Sequence, residues 1–243
     1  MIDLFRTERP KQAMEDGTID VDGRIIPVRF RVNARARRLI LRVDALTGGA
    51  VVTVPAGVGR EAALQFARAR GVWVLERLDK APPPVVFEDG VIVPFLGADH
   101  VVRHQPGQRQ PVICGEGKIT VGGQPEHLSR RFKTWLRKQA RQQVENRVIR
   151  LSEQVGKRHG RISIRDTRSR WGSCSSTGAL NFSWRLVLAP EWVLEYVVAH
   201  EVAHLVEHNH SPAFWAVVGQ LNDDASAARD WLGMHGEALH RYG

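Results

Sequence analysis

Cysteine is nearly absent from this chain. Cys114 and Cys174 are the two present among 243 residues, and they lie far apart. With no Cys-x-x-Cys pair, a structural zinc site built from thiolates is excluded and a disulfide is not expected. Long apolar runs are absent too, since nothing approaches the ~18 consecutive apolar residues of a membrane span. The opening residues, Met1-Ile2-Asp3-Leu4-Phe5-Arg6-Thr7-Glu8, contain no apolar signal-peptide core. These absences predict a soluble protein of a reducing, cytoplasmic compartment with no membrane partner. The sequence also has no Gly-rich phosphate loop, helix-turn-helix, zinc finger, base-stacking motif, internal repeat or low-complexity tract.

Against this background one short stretch stands out: His200-Glu201-Val202-Ala203-His204, with His210 just beyond. Histidines at i and i+4 share one helix face, about 6 Å apart along the axis, so both imidazoles can reach one ion. Two imidazoles and an adjacent carboxylate predict a zinc centre in which Glu201 acts on a zinc-bound water. Pro190-Glu191 suits a helix start, which predicts a helix of roughly 18 residues carrying the motif in its second half. Asn209 reads as a left-handed residue at the helix end, and Ser211-Pro212 as the N-cap and first position of a further helix over 213–221. His210, in the intervening turn, is the favoured third ligand. His208 is about 12 Å along the axis from His200, too far for one ion, and reads as a surface or supporting residue. Asp224 and Glu237 remain alternatives, because some zinc hydrolases take a carboxylate from a later helix.

The segments Arg170-Trp171-Gly172-Ser173-Cys174-Ser175-Ser176 and Trp184-Arg185-Leu186-Val187-Leu188-Ala189-Pro190, then the His-Glu motif and Asn209-His210-Ser211-Pro212-Ala213-Phe214-Trp215, resemble the YgjP-like metallopeptidase family. That family is similar to the SprT and WLM zinc peptidases. The strong likeness covers residues 161–232. Arg37-Arg38-Leu39-Ile40-Leu41-Arg42-Val43 is similar to the family's N-terminal region. The resemblance implies a zincin-like catalytic core, with His200, His204 and His210 as ligands and Glu201 as acid/base. Metzincins share the histidine spacing but carry Gly three residues after the second histidine. Here that position is Glu207, so the chain is not read as one.

The remaining pattern predicts an α+β fold. Strands are expected at residues 25–32, 38–43, 50–54, 91–95, 100–104, 110–114 and 118–121, and a helix at 59–78. Gly122-Gly123-Gln124-Pro125 is the best boundary, giving a strand-rich N-terminal region over 1–123 and the catalytic domain over 124–243. That domain opens on a long helix, 127–154, followed by strands at 161–165 and 179–188 around a turn at Ser175-Ser176-Thr177-Gly178. Residues 1–15 read as loosely ordered. An exposed strand edge beside the zinc suits an extended peptide, with Arg170, Trp171 and Ser173 lining the cleft. For Trp171, followed by Gly, a packed core position and a bend is the stronger expectation, and Cys174 reads as a buried thiol.

The net charge is +9, and between Arg130 and Arg170 fourteen Lys or Arg face only Glu145, Glu153 and Asp166. Arg131, Lys138 and Arg141 on the long helix form a solvated face or a platform for non-specific nucleic-acid contact. The leading function is zinc-dependent hydrolysis of peptide bonds in a peptide or protein substrate. A metal-dependent nucleotide phosphoanhydride hydrolase, or a nucleic-acid-associated protein with a zinc site, are the alternatives.

Overall fold

Val21-Asp22-Gly23-Arg24 sets the first hairpin. Asp22 and Gly23 take φ of 52° and 80°, the left-handed pair that a two-residue turn matched to strand twist demands. The computed structural model describes residues 14–45, 47–80, 83–167 and 170–243. The chain forms two compact units, residues 1–84 and 85–243.

In the first unit β1 (Gly17–Val21), β2 (Arg24–Asn33), β3 (Ile40–Asp44) and β4 (Gly49–Pro55) form a sheet of order β1-β2-β4-β3. The β2/β4 pair is parallel and the outer pairs antiparallel. Alternation along β2 and β4 turns Ile26, Val28, Phe30, Val52 and Val54 to one face, where Ala63, Ala67 and Val74 of α1 (Arg60–Arg68) and α2 (Gly71–Lys80) complete the core. The helix expected over 59–78 is thus two. It breaks at Ala69-Arg70, and Gly71 packs so closely on Val21 that an added Cβ would sit 2.5 Å from its Cγ2. Strand β1 was not expected from sequence. Most of the stretch read as loosely ordered, residues 1–13, lies outside the described residues.

The second unit begins with β5 (Ile92–Phe95), β6 (Ala98–Gln105), β7 (Val112–Gly115) and β8 (Lys118–Gly122), in order β5-β6-β8-β7. Helix α3 (Leu128–Gln154) follows. It buries Leu128, Phe132, Leu136, Ala140, Val144 and Val148, a ridge of every fourth residue. Such a ridge winds slowly around the helix, and one continuous core joins Val93, Val102, Ile119 and Val121 of the sheet to the elements downstream. The Gly122–Pro125 stretch, read as a domain boundary, lies inside this unit. A three-stranded sheet then has order β10-β11-β9, from β9 (Ile162–Arg165), β10 (Gly172–Cys174) and β11 (Leu180–Ser183).

The strand expected over 179–188 ends at Ser183. Its hydroxyl accepts the Arg185 N–H at 3.4 Å and opens a 3-10 turn, Trp184–Leu188. The turn buries Arg185 against Asp166 and the carbonyls of Tyr242 and Gly243. Helices α4 (Glu191–Ala203), α5 (Pro212–Leu221) and α6 (Ala225–Leu239) complete an α+β fold. Helix α4 buries residues around its whole circumference, from Val193 and Leu194 to Val202 and Ala203, the mark of a helix inside the core. No described helix is long and apolar enough to cross a membrane.

Candidate metal centre

Helix α4 brings His200 and Glu201 into the core one turn before it ends. It stops sooner than its sequence suggests. Leu205 N–H and Val206 N–H bond three residues back, to Val202 and Ala203, which tightens the last turn. His204 is the C-cap, and its Nδ1 lies 3.0 Å from the Glu207 carbonyl. That contact assigns the proton to Nδ1 and leaves Nε2 available. Asn209 does not take the left-handed conformation expected of it. Its Oδ1 instead accepts the Ser211 N–H at 3.0 Å, and Ser211 Oγ accepts the Phe214 N–H at 3.4 Å. The chain therefore reverses through an Asx turn into an N-cap, and Pro212 opens α5 as expected.

This reversal carries His210 to His200. Their Nε2 atoms are 3.2 Å apart, and the ligand atoms of His200, His204 and His210 all lie within 4.8 Å of one another. Two nitrogens at ~2.05 Å from a tetrahedral ion are about 3.3 Å apart, which the His200–His210 pair matches, and the three rings together could hold a metal ion. Burial, then the neighbouring His204, His210 and Arg229, hold His200 down at about 4. Burial likewise lowers His204, against the Glu207 carbonyl contact. Both rings are therefore neutral near pH 7, the form that ligates metal. His208 is exposed beyond the helix end, and Asp224 and Glu237 are also exposed. None of the three joins the cluster.

Glu201 is 6% exposed. Burial pushes its carboxyl up to about 7, against the pull of Arg170 and a hydrogen bond from the Cys174 backbone N–H. Strand β10, at the sheet edge, lies directly against it: a Cβ on Gly172 would fall 2.5 Å from Glu201 Oε1. A cleft of about 390 Å³ opens over Glu201 and His200, with Arg170, Trp171, Tyr196 and Arg229 in its walls. Trp171 also stacks on His240 at 4.9 Å, so the cleft wall and the packed position are the same residue. Ser173 is not brought into the cleft. It alternates to the other side of β10 from Gly172, and its hydroxyl accepts from Asn181 Nδ2 at 3.4 Å. Cys174, expected buried, is half-exposed.

Sequence reasoning missed Tyr196 and Arg229. Tyr196 is one turn before His200, and its hydroxyl is 3.5 Å from His200 Nδ1. That i−4 spacing was a usable signal. Arg229, on α6 with its guanidinium 4.9 Å from the Trp215 ring, had none. On α3, where a solvated face or a nucleic-acid platform was expected, Arg131 donates to the Gly122 carbonyl at 2.7 Å and Arg141 pairs with Glu145 at 2.7 Å.

Among curated proteins none matches this chain. Among solved structures, the chain is similar to the metallopeptidase zymogen of Pyrococcus abyssi abylysin. The two are 22% identical over 37% of this chain and 92% of that one, with a TM-score of 0.35. The family model described as "YgjP-like, metallopeptidase domain" matches residues 37–235, most of the chain and the whole of the histidine cluster. The chain belongs to the YgjP-like metallopeptidase family.

Proposed function

We propose that this protein is a zinc-dependent peptidase that cleaves peptide bonds in a peptide or protein substrate, with His200, His204 and His210 holding the ion and Glu201 moving the proton. The observation that carries this reading is the convergence of three imidazoles beside one buried carboxylate. A zinc ion at this position supplies Lewis acidity, polarising a carbonyl and lowering the pKa of a water. Glu201, held by the Cys174 N–H and backed by Gly172, accepts a proton at its carboxylate and returns it to the leaving amine. The open edge of β10 accepts an extended substrate through main-chain bonds. Arg170 and Trp171, with Tyr196 and Arg229, line the space its side chains enter. The near absence of cysteine supports a reducing, cytoplasmic setting.

The experiment pairs metal content with turnover. Protein purified without added metal carries about one zinc per chain by elemental analysis. Glu201→Gln keeps that zinc and loses at least ~100-fold in peptide hydrolysis, the scale of a general base. Zinc well below stoichiometric in the wild type, or turnover retained in the variant, overturns the reading.

A further inference from the structure

The sheet of the first unit covers one face with α1 and α2, and its opposite face is basic. Between Arg29 and Val43 the sequence has six arginines, Arg29, Arg31, Arg35, Arg37, Arg38 and Arg42, and no acid. All six are exposed. The register gathers them. Arg29 pairs with Val51 of β4, and Val51 with Arg42 of β3. Arg29 and Arg42 thus flank Val51 across about 10 Å, and Arg31 follows Arg29 on the same face about 6.6 Å along the strand. The β2–β3 connection adds Arg35, Arg37 and Arg38 at one end. Asn33 orders it by accepting the Arg35 N–H on Oδ1 and the Ala36 N–H on its carbonyl, each at 3.0 Å. Three acids lie near. Asp16 is 3.9 Å from Arg29 Nε, Asp20 on β1 accepts the Gly23 N–H at 2.9 Å, and Asp44, two residues beyond Arg42 on β3, is buried. Among the described residues no other ion pair involves the six.

Like charges gathered on one sheet face repel and lower stability, so such a cluster is explained by an anion that neutralises it. Guanidinium groups match phosphate oxygens as a fork. The arginines reach across three neighbouring strands, β2, β4 and β3, which suits a duplex, whereas single strands run in a groove with aromatic stacking platforms. No aromatic side chain is on it, since Phe30 points into the core.

We propose that this sheet face, with the β2–β3 turn, binds the phosphate backbone of a nucleic-acid duplex without reading its sequence. It is a site separate from the histidine cluster, and it does not depend on the peptidase reading.

The test is fluorescence anisotropy of the full-length, zinc-loaded protein with labelled 20-base-pair DNA duplexes of two unrelated sequences. With about four phosphate contacts, affinity falls ~100-fold between 50 and 200 mM salt, and the two sequences bind within about threefold of one another. The combined variant Arg29→Gln, Arg31→Gln, Arg42→Gln weakens binding at least ~10-fold and lowers the salt slope by about 2.7. The pair Lys138→Gln, Arg141→Gln on α3 leaves both unchanged. Thermal melts check the fold; if the triple variant melts early, Arg35→Gln with Arg37→Gln in the exposed turn must show the same weakening. The proposal is overturned by no binding at 50 mM salt, by loss through the α3 pair but not the sheet variants, or by sheet-dependent binding to phosphatidylserine vesicles in place of duplex.

Discussion

Burial and charge act on Glu201 in opposite directions. Burial raises its carboxyl to about 7, while Arg170 and the Cys174 N–H pull it down. Under the proposed function Glu201 accepts a proton and has to be ionised, so hydrolysis is expected to fall as pH drops through the pKa this carboxyl has in the metal-loaded protein. A bound dication pulls the value down in every variant, but Arg170 still favours the ionised form. Arg170→Gln therefore moves the acid limb of kcat/KM to higher pH, and an unmoved or lowered limb would show that Glu201 does not set it. Gly172 offers a second test at this scale. A methyl group there would stand 2.5 Å from Glu201 Oε1, so the carboxylate must shift. Gly172→Ala is expected to keep zinc and to lose roughly 100-fold in turnover, the cost of a catalytic group misplaced by about 1 Å. Unchanged turnover would mean that Glu201 tolerates the displacement.

The decisive feature at the scale of elements is the end of α4. The His-Glu spacing announces a helix, and the Ser211-Pro212 signal announces the next. Between them the chain must reverse within a few residues. Periodicity carries on past His204, whereas the structure stops at Ala203, because three-residue-back bonds tighten the last turn and the Glu207 carbonyl takes the His204 ring. His210→Ala should therefore release zinc, while His208→Ala, an exposed residue outside the cluster, should retain most of it. Metal analysis after dialysis separates the two, and the opposite ranking would refute this account of the turn. Strand β10 shows the same limit from the other side. Three residues are too short to announce a strand by alternation, yet their pairing with β11 sets Gly172 against Glu201 and turns Ser173 away.

For the whole molecule, the two cores share no residue, one built on β1–β4 with α1 and α2, the other on β5–β11 with α3–α6. The two four-stranded sheets share one order, β1-β2-β4-β3 and β5-β6-β8-β7, each with a parallel central pair. The sequence carries no internal repeat that announces this, since alternation requires only apolar type at each position, which many sequences satisfy. Metal linkage is expected to act on the second core alone. Zinc at 100 to 1,000 times its Kd adds about 3–4 kcal/mol to the unit that holds it. Chelation should lower one calorimetric transition and leave the other in place, and residues 85–243 alone should still bind zinc. A single transition shifting as one would mean that the two cores unfold together.

Sequence by itself carried the signals of a metal centre: two imidazoles one turn apart, the carboxylate between them, and a family likeness strongest over residues 161–232. It also determined most elements, because period-2 alternation and the helical stripe are local properties of the chain. Only the tertiary structure decided the rest. The histidines converge because α4 ends early, Arg229 and Tyr196 meet over the cleft, and Arg185 is buried among backbone carbonyls and Asp166. Each of these joins residues whose separation in sequence says nothing of their distance in space, so no local period encodes them.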